Sequence, residues 1–182
     1  MNIRFCGFGG QGIVLSGYIM GNAALEENLN ALQTQSYGSE SRGGASKSDV
    51  IISKEDIHEI EIDQLDVLVA FSQPAYEMYI DKLRKRGILI IEDDLVKPDS
   101  DSPFEPYRIK ATDIAFKKFG RKIMANTVML GFITPIVKAI SGKSMEKAVE
   151  ESAPRGTEEK NLDAFSEGYK LGLIAVKEKT KA

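Results

Sequence analysis

Short apolar runs alternate with segments of helical periodicity along most of the chain. Runs of this length, bounded by glycine or polar residues, are typical of buried strands. They predict strands at residues 3–8, 29–34, 48–53, 66–72, 88–91 and 107–111. Apolar residues at helical spacing predict helices at residues 11–27, 74–85, 112–119 and 126–140, a short helix from 144, and a last helix at 158–179. The alternation predicts an α/β fold, with a mostly parallel sheet covered on both faces and a helical C-terminal part.

Proline, glycine and hydroxyl residues set the expected helix ends. Pro74 suits the first turn of a helix, and Gly87 is the expected stop of the same helix. Thr112 and Ser144 are predicted to cap the helices that follow them. Pro135 is expected to kink or divide the long apolar helix around it, because proline removes a backbone donor.

The composition narrows the class of protein. With 182 residues, 42% of them hydrophobic and 28% charged, the chain fits one globular domain, predicted to span residues 1–182. A net charge of −3 gives no electrostatic footprint for nucleic acid. No apolar run approaches the roughly 20 residues that a membrane span needs. The chain begins with a strand rather than a basic segment and an apolar stretch, so we expect no secretory signal and a cytoplasmic location.

A single cysteine and a single histidine limit the chemistry of this chain. Cys6 lies in an apolar run and is predicted to be a buried, inert thiol. It cannot form an internal disulfide, and an iron–sulfur cluster needs about four thiolates. His58 lies in a polar stretch and is predicted to be at the surface. If the protein belongs to an enzyme, we expect other chains or a cofactor to supply most of the chemistry.

A glycine-rich turn follows the first predicted strand. Residues 7–12 match G-x-G-x-x-G directly before a helix, which is the context of a dinucleotide-binding turn. The acidic residue that should hold a ribose is missing, because residues 32–36 read Leu-Gln-Thr-Gln-Ser. Three interpretations remain: a dinucleotide site, an anion or phosphate site, and a tight turn with no ligand. The candidate contacts are Gly9, Gly10, Gln11 and Gly12.

A second polar, glycine-rich segment follows the second predicted strand and is expected near the first turn, outside the carboxyl ends of the strands. Arg42 could hold a phosphate or carboxylate through its fork of donors, and Glu40 could orient it. A solvated flexible loop is the alternative. The candidate residues of this segment are Ser36, Tyr37, Gly38, Glu40, Arg42, Gly43 and Gly44.

The two segments together resemble the γ subunit of the 2-oxoacid:ferredoxin oxidoreductase family. The motifs are Gly-Phe-Gly-Gly-Gln-Gly at residues 7–12 and Ser-Tyr-Gly-Ser-Glu-Ser-Arg-Gly-Gly at 36–44. Val-Ile-Ile-Ser at 50–53, the stretch at 66–74 and Asn-Thr-Val-Met-Leu-Gly at 126–131 also look similar, in the same order. The resemblance therefore spans nearly the whole chain.

The resemblance implies a Rossmann-like three-layer sandwich that works inside a larger enzyme. Such enzymes convert a 2-oxoacid and coenzyme A to acyl-CoA and CO2 and reduce ferredoxin. The chain looks closest to the 2-oxoglutarate or 2-oxoisovalerate branch, with 2-oxoglutarate favoured, and the indolepyruvate and pyruvate branches stay open. Thiamine diphosphate and Fe4S4 clusters are expected on partner subunits of the alpha, beta and delta type, in a heterotetramer. This chain is expected to be inactive alone, to bind no cofactor tightly, and to contact coenzyme A through its two glycine-rich segments.

Other interpretations stay open at this point. The chain could be an independent NAD(P)- or flavin-binding oxidoreductase, or an assembly subunit without any ligand. Asn126 is either a helix cap or a ligand contact. The helix predicted at 126–140 and the aromatic residues Tyr76, Tyr79 and Phe104 are candidates for an apolar partner surface, through which the isolated chain could form a homodimer.

Overall fold

A computed structural model describes residues 1–36 and 46–180. Its strands are β1 Asn2–Gly7, β2 Asn30–Ser36, β3 Ser46–Ser53, β4 Leu65–Ala70, β5 Leu83–Glu92 and β6 Tyr107–Ile109. Its helices are α1 Ile13–Leu25, α2 Gln73–Tyr79, α3 Ala111–Phe119, α4 Ala125–Val137, α5 Gly142–Ser152 and α6 Glu158–Lys179. Short 3-10 turns precede β5, at Ile80–Lys82, and α4, at Lys122–Met124.

All six strands form one sheet in the order β2-β3-β1-β4-β5-β6. β1 pairs in parallel with β4, β4 with β5, and β5 with β6. β3 runs antiparallel to both of its neighbours, β1 and β2. The prediction of an α/β fold with a mostly parallel sheet is confirmed, and β3 is the exception. Its reversal has a simple cause: residues 37–45 are fewer than the dozen or so that a parallel crossover needs.

The two faces of the sheet are covered unequally. One face carries α1 and the C-terminal helices α3 to α6, and it holds the larger hydrophobic core, which includes Phe5 and Val69. The other face carries α2 and irregular segments that contribute Ile62 and Val96 to a smaller core. Cys6 belongs to this second core and is completely buried, as predicted. Most of the helical mass therefore stands on one side of the sheet.

A buried ion pair fixes β1 against β3. Arg4 and Asp49 are directly opposite each other in the two strands. The Arg4 side chain donates two hydrogen bonds to the Asp49 carboxylate, at 2.5 and 2.7 Å, and Lys47 adds a third at 3.0 Å. The Arg4 guanidinium also stacks 4.5 Å from the centre of the Tyr79 ring. Breaking such a pair leaves an uncompensated buried charge, which costs about 3–5 kcal/mol.

The helices α4 and α6 pack with their backbones nearly in contact. A Cβ atom at Gly168 would lie 1.9 Å from the Val128 carbonyl oxygen, and one at Gly131 would lie 2.0 Å from the Phe165 carbonyl oxygen. Every residue of α4 is buried. Glycine at these positions is needed because no side chain fits between the two backbones.

Several predicted helix ends are wrong. α2 ends at Tyr79, and Gly87 lies inside β5 rather than at a helix stop. The charged residues before Gly87 are compatible with a helix, but they belong to the exposed start of a strand whose pairing with β4 decides the conformation. α4 is not divided at Pro135, since the helix continues two residues further to Val137. Pro135 therefore lies in the last turn, with only two helical residues after it.

Two predicted caps are also wrong. The N-cap residue of α5 is Ser141, whose hydroxyl accepts a hydrogen bond from the Ser144 backbone N–H. Thr112 lies inside α3, where its N–H and its hydroxyl donate to the Glu92 carboxylate at 2.8 and 3.0 Å. The Glu92 carboxylate at the end of β5 thus caps the start of α3, which is the role that the sequence predicted for Thr112. The last helix, predicted at 158–179, is confirmed as Glu158–Lys179.

The predicted apolar partner surface is partly wrong. Tyr76 is buried in the smaller core, and α4 is buried over its whole length. Tyr79 and Phe104 are half-buried against the same core. Interior packing accounts for these residues, as it does for most large apolar side chains. His58 is exposed, as predicted.

Candidate functional site

A topological switch point lies between the carboxyl ends of β1 and β4. From β1 the chain passes through α1 on the larger-core face, and from β4 it passes through α2 on the opposite face. Crevices of this kind are where open α/β sheets bind ligands. The glycine-rich turn at residues 7–12 occupies the rim of this crevice.

Two glycines of the turn have a left-handed backbone. Gly10 has φ 86° and Gly12 has φ 75°, a region that L side chains rarely adopt. Gly12 is also the N-cap residue of α1, and no side chain among residues 1–36 and 46–180 caps this helix. The first N–H groups of α1, beginning at Ile13, therefore have no side-chain acceptor, as expected for a helix start that favours an anion.

The Gln11 amide holds the turn across the crevice. Its Oε1 accepts a hydrogen bond from the Phe8 backbone N–H at 2.6 Å, and its Nε2 donates to the Phe71 carbonyl oxygen at 3.1 Å. Phe71 directly follows β4, and its own N–H donates to the Cys6 carbonyl oxygen at 2.8 Å. Gln11 therefore joins the ends of β1 and β4, which gives this predicted site residue a structural role.

The apex of the turn is open. A Cβ atom built on Gly9 or Gly10 would meet nothing within 4 Å among the described residues. Phe8 beside them is 41% exposed although it is a large apolar side chain. The backbone of Gly9 and Gly10 is thus free to be approached from outside, while Gln11 keeps the turn in one shape.

Asn126 contacts the turn from α4. A Cβ atom at Gly12 would lie 2.6 Å from Asn126 Nδ2, so the two residues pack directly together. The N-cap residue of α4 is Met124, and Asn126 is the second helical residue, so the cap interpretation is wrong. Asn126 is 4% exposed. The sequence thus identified a residue at the turn, although its action there is contact rather than capping.

A polar cluster next to Asn126 was not found from the sequence. The Thr127 hydroxyl donates to Asn161 Oδ1 at 3.1 Å, and Asn161 Nδ2 donates to the Thr157 carbonyl oxygen at 3.0 Å. These bonds tie the start of α4 to the start of α6. A possible signal was the Asn126–Thr127 pair, two polar residues entering an otherwise apolar helix; its partners on α6 are set by tertiary packing alone.

The starts of α1, α4 and α6 surround a cavity of about 160 Å³. Gly12 and Asn126 lie at this cavity, and Arg121 and Lys160 are exposed residues of its lining. The other lining residues are mostly apolar, among them Leu15, Ile19, Ile123, Met124, Val149, Ala153 and Pro154. No sequence pattern predicts this cavity, because its walls come from segments more than 100 residues apart.

The second glycine-rich segment begins and ends beside the first. Ser36 ends β2 opposite Lys47, and Ser46 starts β3 opposite Gly7, the first glycine of the turn. Six of the predicted site residues lie outside the described residues: Tyr37, Gly38, Glu40, Arg42, Gly43 and Gly44. The described ends of the segment nevertheless leave the sheet at the rim where the glycine turn lies.

Two titratable side chains of the sheet have pKa values that burial raises. Burial raises the pKa of the Cys6 thiol far above its usual range, so it stays protonated and inert. Burial also raises the pKa of Glu92, whose carboxylate binds the start of α3. Residues 1–36 and 46–180 contain no cluster of three His, Cys, Asp or Glu side chains that could hold a metal. Nor do these residues include a helix long and apolar enough to cross a membrane.

Comparison with known proteins gives one consistent result. Residues 2–171 match the family model described as pyruvate ferredoxin/flavodoxin oxidoreductase. The chain is 49% identical over 172 residues to the 2-oxoglutarate synthase subunit KorC of Methanocaldococcus jannaschii, covering 93% of this chain and 92% of the relative.

Two solved structures share the fold. The keto/oxoacid ferredoxin oxidoreductase γ subunit from Geobacter sulfurreducens superposes with a TM-score of 0.84 and 38% identity, covering 95% of this chain and 98% of that one. The 2-oxoglutarate:ferredoxin oxidoreductase from Magnetococcus marinus, solved with 2-oxoglutarate, coenzyme A and succinyl-CoA bound, gives a TM-score of 0.83 at 25% identity. There the match covers 96% of this chain but 31% of the longer chain.

These matches extend over nearly the full length of the chain and agree with the two motifs at the rim. The chain therefore belongs to the pyruvate ferredoxin/flavodoxin oxidoreductase family, as a γ subunit of a 2-oxoacid:ferredoxin oxidoreductase.

Proposed function

We propose that this γ subunit serves an enzyme that oxidises 2-oxoglutarate, and that its two glycine-rich segments form part of the coenzyme A site. The observation that carries the proposal is the pairing of Gly7 with Ser46, because both segments then leave the sheet at one rim. The relative with 49% identity, a 2-oxoglutarate synthase subunit, supports this substrate.

Coenzyme A suits the rim chemically. It is an anion with several phosphate groups, and the rim offers the uncapped start of α1 together with the open backbone of Gly9 and Gly10. Arg42 would add a fork of N–H donors to a phosphate, with Glu40 orienting it. The remaining contacts in this proposal are Gln11, Gly12, Ser36, Tyr37, Gly38, Gly43, Gly44 and Asn126.

The redox and carbanion chemistry belongs to other chains in this proposal. The whole sequence has one cysteine, and that thiol is buried in the smaller core. A cubane cluster needs about four thiolates, so Fe4S4 groups would be held by partner subunits. Thiamine diphosphate is placed there as well, and ferredoxin receives the electrons from the complex. A heterotetramer with alpha, beta and delta-type subunits is the assembly we expect.

The substrate is tested on the reconstituted complex. The four subunits are co-expressed, and CoA-dependent reduction of ferredoxin is followed with 2-oxoglutarate, 2-oxoisovalerate and pyruvate. We expect the highest kcat/KM with 2-oxoglutarate and no activity from the γ subunit alone. A higher kcat/KM with pyruvate would refute the substrate assignment, and full activity without the γ subunit would refute its role.

The coenzyme A contact is tested with Arg42→Ala in the same complex. Loss of a charge-assisted hydrogen bond costs about 1.5–3 kcal/mol, so the KM for coenzyme A should rise by about 10- to 100-fold. The KM for 2-oxoglutarate should not change. Arg86→Ala is the matched control, because Arg86 is exposed near the start of β5, at the opposite end of the sheet. An unchanged KM for coenzyme A would favour an assembly subunit without ligand contact.

A further inference from the structure

We propose that the cavity beside Gly12 is an anchor pocket that receives one apolar side chain, flanked by carboxylates, from a partner subunit of the oxidoreductase. The anchor pocket is defined by Leu15, Arg121, Ile123, Asn126 and Lys160. This inference rests on the proposed function in one respect only, namely that the γ subunit works in a complex.

The walls of the anchor pocket are apolar and open to solvent. Ile123 is 57% exposed and Leu15 is 41% exposed, although both border the cavity. Large side chains of this kind gain free energy when they are covered, at roughly 25 cal/mol per Å². A cavity of about 150 Å³ accepts a ring of benzene size, so the volume of about 160 Å³ suits a single large apolar side chain. An anchor residue in such a pocket is the usual centre of an interface.

The rim of the anchor pocket is cationic. Arg121 and Lys160 are exposed there, and neither forms a salt bridge with another described residue. Two cations in the lining of one apolar opening complement carboxylates on the occupant, and such rim charges steer association.

The floor of the anchor pocket carries a spare donor. Asn126 is 4% exposed and borders the cavity, and its Nδ2 has no hydrogen-bond partner within residues 1–36 and 46–180. A backbone carbonyl or carboxylate of the occupant would satisfy this donor. Apolar walls, a cationic rim and an amide floor together select an apolar residue with acidic neighbours, which is a protein segment.

A partner subunit is the occupant we favour over a second copy of this chain. In the Magnetococcus marinus enzyme the matching region is 31% of a longer chain, so there the same fold is built into a larger polypeptide. The rest of that polypeptide needs a face on the γ fold to pack against. The anchor pocket offers one beside the rim, where Gly12 belongs to both features.

Association with the co-expressed partner subunits tests the anchor pocket. The dissociation constant of the purified γ subunit is measured by biolayer interferometry at two salt concentrations. Arg121→Glu combined with Lys160→Glu should weaken binding at least 30-fold at low salt and reduce its salt dependence, and Ile123→Glu should weaken it at least 10-fold. The matched controls are Lys170→Glu and Ile174→Glu, two exposed residues of α6, which should bind within twofold of the wild type.

A photo-crosslinking amino acid at position 123 gives a second measurement that does not depend on charge reversal. We expect a crosslink to a partner-subunit peptide with an apolar residue within about three positions of Asp or Glu, and none from position 174. Three results would overturn the proposal. They are a crosslink between two γ subunits, loss of the crosslink on adding coenzyme A, and binding of the anchor-pocket variants that equals that of the wild type. If binding of the partner subunits depends on the anchor pocket but the complex prefers pyruvate, only the substrate assignment fails.

Discussion

Glycine has opposite roles in the α4–α6 interface and in the glycine turn. In the interface, Gly131 and Gly168 each lie within about 2 Å of a backbone carbonyl oxygen of the other helix, measured from the Cβ that they lack. In the turn, a Cβ atom at Gly9 or Gly10 would have no described residue within 4 Å. The first pair is explained completely by packing inside this chain. The second is not, and this difference is what points to a contact from outside.

The largest expected effect is at the interface. Gly168→Ala would force a methyl group into the Val128 carbonyl oxygen, 1.9 Å away, and the two backbones would have to separate. Overpacking of this kind costs about 3 kcal/mol. Chemical denaturation should show this loss in the free energy of unfolding, while Ser166→Ala on the same helix should change it by less than about 0.5 kcal/mol. Equal stability of the two variants would remove the packing half of the comparison.

Gln11→Ala should give an intermediate loss of stability. Its side chain joins Phe8 and Phe71 through two hydrogen bonds, each worth about 0.5–1.5 kcal/mol. We therefore expect a loss of about 1–3 kcal/mol in the free energy of unfolding, together with faster amide hydrogen exchange in residues 8–12. Gln73→Ala is a control, because Gln73 is also at the rim but outside the turn. A turn with unchanged exchange would show that Gln11 does not fix its shape.

Glu92 should give a smaller effect that depends on pH. Burial raises the pKa of this carboxyl above its usual value in the folded protein. As pH rises above the usual value, the unfolded chain loses the Glu92 proton first, so the contribution of Glu92 to stability falls until the raised pKa is passed. Glu92→Gln removes this titration and keeps an acceptor for Thr112. Unfolding curves from pH 4 to 8 should show the variant gaining on the wild type as pH rises; parallel profiles would contradict the assignment.

Gly9→Ala should have the smallest effect on stability and is the most informative for function. No atom of residues 1–36 or 46–180 lies within 4 Å of the added methyl group, and Gly9 does not have a positive φ. The free energy of unfolding should therefore change by less than about 0.5 kcal/mol. In the complex, the same methyl group should raise the KM for coenzyme A several-fold by obstructing the backbone. A stable variant with an unchanged KM would mean that the open apex serves no ligand.

The hydrophobic pattern was sufficient to predict most helices and strands but not the directions of the strands in the sheet. Central strands such as β4 and the long α6 were predicted well because apolar periodicity is a local property. The reversal of β3 was missed because strand direction depends on the connection and on pairing partners. The charged start of β5 was assigned to a helix for the same reason, since only its pairing with β4 identifies it as a strand.

The site divides in a similar way. The turn at residues 7–12 was found because its glycines follow the G-x-G-x-x-G spacing between a strand and a helix. Asn126 was singled out, but its contact with Gly12 could not be read from positions more than 100 residues apart. Arg121 and Lys160 gave no signal, because lone cations in a chain with 28% charged residues are ordinary until tertiary packing puts them around one cavity.

The salt bridge between Arg4 and Asp49 has a consequence for assembly of the sheet. Side chains alternate between faces along a strand, so sliding β3 by one residue along β1 would turn the Asp49 carboxylate into the larger, hydrocarbon-filled core. Sliding β3 by two residues would keep Asp49 on its face but would separate it from Arg4, so the observed alignment is the one that keeps the two buried charges paired. Correct folding therefore places Ser46 opposite Gly7. The spacing between the two glycine-rich segments is thus set by a charge pair that is buried on the opposite face of the sheet from α1.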